Sequence, residues 1–336
     1  MTLLTLGVGA VGAGLGALAG LPLYVLCGPA ILVCALSLAG MRLGIANGFR
    51  DVAFLFIGIG VGAGVNTEAA AAMLRWPLAF VMLAVMLLVA MILSREVLVR
   101  VFGFSPKAGV LAGAPGHLSF VLALGDSYKV NLPQIAVSQS VRVLLLTLTV
   151  PFIAAMVGIE VSGAALPQGV TISVVHLCVL VVLSVLMGWG LERLRVPAPL
   201  LIGAMVVSAA GHLSELAPGV LEPKITMACL VLMGALIGSR FAGTAPRLVL
   251  RYAGAGLAIT CVTVGLAVAA SVPMAAFLDM PLAHVLVAFA PGGLETMIVM
   301  GAVLGANPGF VAACHVGRLL VLSVLIPLLA ARAGKS

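Results

Sequence analysis

Charge is what this chain has least of. Only 8% of its 336 residues are charged, against about 25% in a soluble domain. Aromatic residues make up 5%. The six cysteines (Cys27, Cys34, Cys178, Cys229, Cys261 and Cys314) form no Cys-x-x-Cys pair and no zinc spacing, which argues against a disulfide framework or a redox centre. The histidines are scattered: among His117, His176, His212 and His284 no two share a helix face, and no His-Glu-x-x-His string occurs, so no metal site is expected. No basic run is interleaved with aromatics, and no segment outside the apolar stretches is long enough to fold a recognition element. The net charge of +7 therefore calls for no nucleic acid. The first 20 residues lack a basic n-region, and an internal counterpart occurs around residues 173–193. They read as a retained membrane span, not a signal peptide.

What is present is apolar surface in excess. Hydrophobic residues make up 63%, more than a soluble core can bury, so the chain is expected to be an all-α polytopic membrane protein within the lipid bilayer. Glycine occurs 40 times, and small residues let membrane helices approach closely. Gly12, Gly16 and Gly20, like Gly58 and Gly62, are spaced by four and read as packing faces, which also permit a homodimer.

The chain repeats itself at an offset of 176 residues. Ala114-Pro115-Gly116 recurs as Ala290-Pro291-Gly292, Gly125 as Gly301, Arg142 as Arg318 and Pro151 as Pro327. Gly12 and Gly14 match Gly188 and Gly190, Gly58 and Gly62 match Gly234 and Gly238, and Arg75-Trp76 matches Arg251-Tyr252. Residues 1–160 thus read as a first membrane repeat and residues 170–336 as a second, within one integral membrane domain. Each repeat offers six apolar segments: roughly 3–20, 23–40, 52–65, 77–94, 108–125 and 134–157, then 173–190, 198–211, 225–239, 252–271, 282–305 and 309–331.

The fifth segment of each repeat is broken by Ala-Pro-Gly, because proline removes a donor and glycine frees the backbone. It is either a kinked span or a re-entrant hairpin. Loop charge separates the two. If all twelve segments cross, Lys and Arg divide 8 to 7 between the sides; if both fifth segments are re-entrant, they divide 13 to 2. The positive-inside rule favours the second arrangement. It gives about ten transmembrane helices plus two Pro-Gly-broken re-entrant segments, five crossings per repeat, two inverted-topology repeats and both termini in the cytoplasm.

Such repeats commonly enclose a midplane site. Helix starts after Pro115-Gly116 and Pro291-Gly292-Gly293 would present unpaired N–H groups, which suits an anion; the alternative is a pair of structural kinks. Arg142 and Arg318 lie about nine residues into their segments, ~13 Å deep at 1.5 Å per residue. An arginine there needs a partner or water. It either clamps a carboxylate, sulfonate or phosphate, or ties backbone carbonyls or Glu295. Glu295, in the first turn after the second break, either binds a coupling proton or Na⁺ or neutralises Arg318; its counterpart is Ser119. Gln139 and His315 each precede an arginine by three residues on the same face and read as polar liners.

These residues carry a family resemblance. Ala290-Pro291-Gly292-Gly293-Leu294-Glu295-Thr296-Met297, then Pro308-Gly309-Phe310-Val311 and His315-Val316-Gly317-Arg318-Leu319-Leu320, resemble the AbrB-type bacterial membrane proteins. So does Leu230-Val231-Leu232-Met233-Gly234-Ala235-Leu236-Ile237-Gly238, and the resemblance covers essentially the whole chain. Ala114-Pro115-Gly116-His117-Leu118-Ser119 departs from the fuller Ala-Pro-Gly-Gly form and lacks the glutamate. The resemblance implies a duplicated membrane unit in the bacterial inner membrane. Its members are labelled as ammonia monooxygenases or as regulators of gene expression. Five scattered histidines do not supply the copper ligation that the first label requires, and no loop houses the DNA-binding element that the second requires. The expectation is therefore a secondary transporter of a small anionic solute, not an enzyme, without a cofactor. The alternative is a non-transporting membrane sensor or subunit that affects gene expression indirectly.

Overall fold

Proline and asparagine set many of the helix starts. In the computed structural model, which describes residues 1–64, 76–115, 118–156, 169–194, 196 and 198–333, fourteen helices follow one another. They are α1 Thr2–Leu18, α2 Tyr24–Leu38, α3 Asn47–Gly62, α4 Trp76–Phe102, α5 Pro106–Gly113, α6 Leu118–Ser127 and α7 Leu132–Met156, then α8 Val174–Arg193, α9 Pro199–Leu213, α10 Pro223–Ser239, α11 Pro246–Leu278, α12 Leu282–Phe289, α13 Leu294–Val303 and α14 Pro308–Arg332. Among the described residues there is no strand, only an isolated bridge between Thr171 and Val220. Prolines at the starts of α5, α9, α10 and α11 spend their missing donor where the helix has no use for one.

The second set of helices restates the first at the same spacing. α5, α6 and α7 begin at residues 106, 118 and 132, and α12, α13 and α14 at 282, 294 and 308. The details recur too. Asn131 Oδ1 accepts from the Gln134 N–H at the start of α7, and Asn307 Oδ1 accepts from Gly309 and Phe310 N–H at the start of α14; such caps stabilise by about 1 kcal/mol each. α6 closes with Val130 N–H donating to Gly125 O, and α13 with Ala306 N–H donating to Gly301 O. Lys129 and Gly305 take the left-handed position between, at φ 53° and 70°. Leu23 and Ala198, before α2 and α9, both sit at φ 46°, a strained conformation for a residue with a side chain.

Five helices are long and apolar enough to cross a membrane: Trp76–Phe102, Leu132–Ile153, Val174–Arg193, Pro246–Leu278 and Pro308–Arg332. Ten spans were expected; α1, α2, α9 and α10 are apolar but only 15–17 residues long. α4 and α11 run beyond the expected 77–94 and 252–271. In α4 the added turns carry Arg95, Glu96 and Arg100, which pair with one another. Such residues favour helix while ending an apolar run, so hydropathy stops before the helix does.

The described residues of 1–74, 148–243 and 294–312 form one compact unit, and those of 75–147, 244–293 and 313–336 a second. Each draws on both halves of the sequence. In the first, α3 packs on α9 and α10 packs on α2, with glycines at both crossings. A Cβ on Gly58 would meet Leu201 O at 2.4 Å, and one on Gly234 would meet Leu26 O at 2.2 Å. Gly62 and Gly238 press in the same way on Met205 O and Ala30 O. Gly12 packs on Gly28, as expected of a packing face. Gly20 instead has nothing within 4 Å and turns the chain at φ 66° after α1. In the second unit α4 packs on α11, α5 on α4 and α12 on α11. Val141 of α7 fills the space at Gly256, and Phe80 of α4 fills the space at Gly317 of α14. These two crossings lie at equivalent positions with the large and small partners exchanged.

Candidate functional site: two proline-broken helices pinned by buried arginines

The site, which lies within the second unit, begins with two interrupted helices. Ser105 caps α5, accepting from Ala108 N–H, and the helix ends at Gly113. Ala114 is extended (φ −63°, ψ 120°) because Pro115 bars the residue before it from the helical region. Ala290, before Pro291, is likewise extended at φ −57°, ψ 136°. Each alanine still donates its N–H into the helix behind it, to Val110 O and Leu286 O, but its carbonyl has no helix ahead to accept from. Carbonyls orphaned in an apolar interior are costly.

The arginines answer those carbonyls. Arg142 Nη2 donates to Ala114 O at 3.1 Å. Arg318 Nη1 donates to Ala290 O at 2.8 Å and its Nη2 to Gly292 O at 2.7 Å. Each arginine thus reaches the alanine 28 residues before it. Gln139 Nε2 donates to Leu111 O at 2.8 Å and Ala114 O at 3.4 Å. Arg142 and Arg318 are 1% and 2% exposed, and their guanidinium groups lie close enough to repel one another. Guanidinium charge at a helix C-terminus is favourable. Arg318 spends two nitrogens on the carbonyls, whereas Nε and Nη1 of Arg142 have no hydrogen-bond partner.

The expected residues fall out as follows. Arg142, Arg318, Gln139 and His315 are all buried in α7 and α14. Pro115, Pro291 and Gly292 are buried at the breaks and Gly293 is half-buried. Gly116 lies outside the described residues. Ser119 and Glu295 lie in the first turns of α6 and α13, with side chains outside the described residues. The expectation put the arginines around the new helix starts; they engage instead the carbonyl ends of the helices before each break. Sequence reasoning missed Ser94. Its fully buried hydroxyl has no partner, and a Cβ on Gly113 would stand 2.9 Å from its own Cβ. A lone serine in the apolar run of α4 gives no signal of its place beside a helix break.

Helices of this length and apolarity, with charge buried only where it caps interrupted helices, define an α-helical membrane protein. The chain belongs to the AbrB family: the family model described as transition state regulatory protein AbrB matches residues 25–333. It is similar to the uncharacterized protein YhjN of Bacillus subtilis (strain 168), at 26% identity over 95% of this chain and 90% of that one. No solved structure matches it.

Proposed function

We propose that this protein is a secondary transporter that moves a small anion across the bacterial inner membrane by alternating access. The observation that carries the reading is the pair of buried, mutually repelling guanidinium groups at the ends of two interrupted helices. Two like charges in a low-dielectric interior are expensive, and an anion beside them offsets that cost. Carbonyl ends relieve part of it but carry only about half a charge each.

In this reading residues 1–160 and 170–336 are inverted repeats and ten helices cross. The pairs α5–α6 and α12–α13 are re-entrant, and both termini face the cytoplasm. The helices of each pair have 8 and 10 residues, or about 12–15 Å at 1.5 Å per residue, so neither member alone crosses a ~30 Å core. Gln139 and His315 line the path. Glu295, which the first repeat replaces by Ser119, is the coupling-ion group, so the two half-sites differ in chemistry. The reading assigns no catalytic step.

A thermal-shift screen in detergent against small carboxylates, sulfonates, phosphates and amines tests this reading. A ligand that binds only the folded state at a hundred times its Kd stabilises by about 2.7 kcal/mol, so an anion is expected to raise the melting temperature by several degrees. Stabilisation by amines alone, or by nothing in the panel, contradicts an anion site.

A further inference from the structure

We propose that the two arginines divide the work: Arg142 binds the transported anion, a small carboxylate, while Arg318 is a positioning residue that holds the second helix break in shape. This rests on the anion-transport reading above.

The division follows from the residue three positions before each arginine. In the first repeat it is Gln139, whose amide reaches both Leu111 O and Ala114 O. Glutamine therefore does much of the capping, and Arg142 makes one bond, at 3.1 Å, to Ala114 O. In the second repeat the position is His315, and there the arginine takes the carbonyls itself, at 2.8 and 2.7 Å. Those two carbonyls lie on either side of Pro291, so Arg318 straps the break. Arg142 is left 1% exposed with Nε and Nη1 uncommitted, and among the described residues no acidic side chain pairs with it. A buried guanidinium keeping N–H donors on two nitrogens calls for an acceptor with two oxygens in one plane, which is a carboxylate. A halide offers no fork, and the neighbouring Arg318 charge adds attraction without geometry.

The test titrates the purified protein with acetate, succinate and glutamate, with chloride and phosphate as controls, and reads apparent affinity from thermal shifts. Arg142→Lys keeps the charge and loses the fork. It is expected to weaken carboxylate affinity about tenfold or more while changing the ligand-free melting temperature little. Arg318→Lys is expected to lower the ligand-free melting temperature and leave carboxylate affinity within about threefold. In Arg142→Ala, added guanidinium ion should restore the carboxylate-dependent shift, which a purely structural arginine would not do. Unchanged carboxylate affinity in Arg142→Lys, or loss of affinity in Arg318→Lys alone, overturns the division while leaving the anion reading intact. A shift with chloride or phosphate but no carboxylate overturns the ligand class. A wild-type protein indifferent to every anion overturns both.

Discussion

Replacing Arg318 with leucine is expected to cost the folded protein roughly 2–5 kcal/mol. The substitution removes the donors to Ala290 O and Gly292 O. Each carbonyl left buried without a partner costs about 1–3 kcal/mol, and no water reaches the bilayer core to take over. Removing a buried charge returns some desolvation energy, which keeps the estimate below the sum of both losses. The cost falls on the break between α12 and α13, so the loss should appear as a lower melting temperature in detergent. Arg142→Leu should lose less, because Gln139 still donates to Ala114 O. Equal stability of Arg318→Leu and the wild type would mean that those bonds do not hold the break.

The second large effect is expected at the crossing glycines. A Cβ at Gly234 would lie 2.2 Å from Leu26 O and 3.0 Å from the Pro29 Cβ; at Gly58 it would lie 2.4 Å from Leu201 O and 2.7 Å from the Ala204 Cβ. The obstacle is backbone, which cannot swing aside as a side-chain tip can. Backbones this close also favour weak Cα–H···O contacts that any side chain would break. Gly234→Ala and Gly58→Ala should therefore each cost about 3 kcal/mol, the upper end for overpacking. Gly14 and Gly190 also lie in helices but have nothing within 4 Å. Alanine there should be neutral or stabilise by about 0.5–1 kcal/mol through helix propensity. Unfolding midpoints of the four variants check the contrast directly. Four similar values would mean that the glycines set helix propensity alone, not crossing distance.

Much of this was legible in the sequence because it depends on local rules. Proline bars its predecessor from the helix, so the breaks at Ala114 and Ala290 followed from Ala-Pro-Gly alone. The offset of 176 residues picked out the equivalent glycines and arginines. What stayed hidden depends on long-range contact. Burial of Arg142 and Arg318 followed from their depth, but not which carbonyls they reach, since both ends of an interrupted helix stand within an arginine's length. Gly20 shares the four-residue spacing of Gly12 and Gly16, yet it turns the chain where they pack it. Spacing alone does not mark the last turn of a helix. Each compact unit takes helices from both halves, an arrangement no one-dimensional pattern encodes. The ends of α4 and α11 ran on because charge stops a hydropathy window but not a helix.

The most direct test of the central claim is counterflow in proteoliposomes, using whichever carboxylate stabilises the purified protein most. Vesicles loaded with that anion are expected to take up labelled anion from outside with the wild-type protein. Vesicles carrying folded Arg142→Gln should take up no more than protein-free controls. Uptake by Arg142→Gln at the wild-type rate would contradict the account, because it would leave the buried guanidinium with a structural role only.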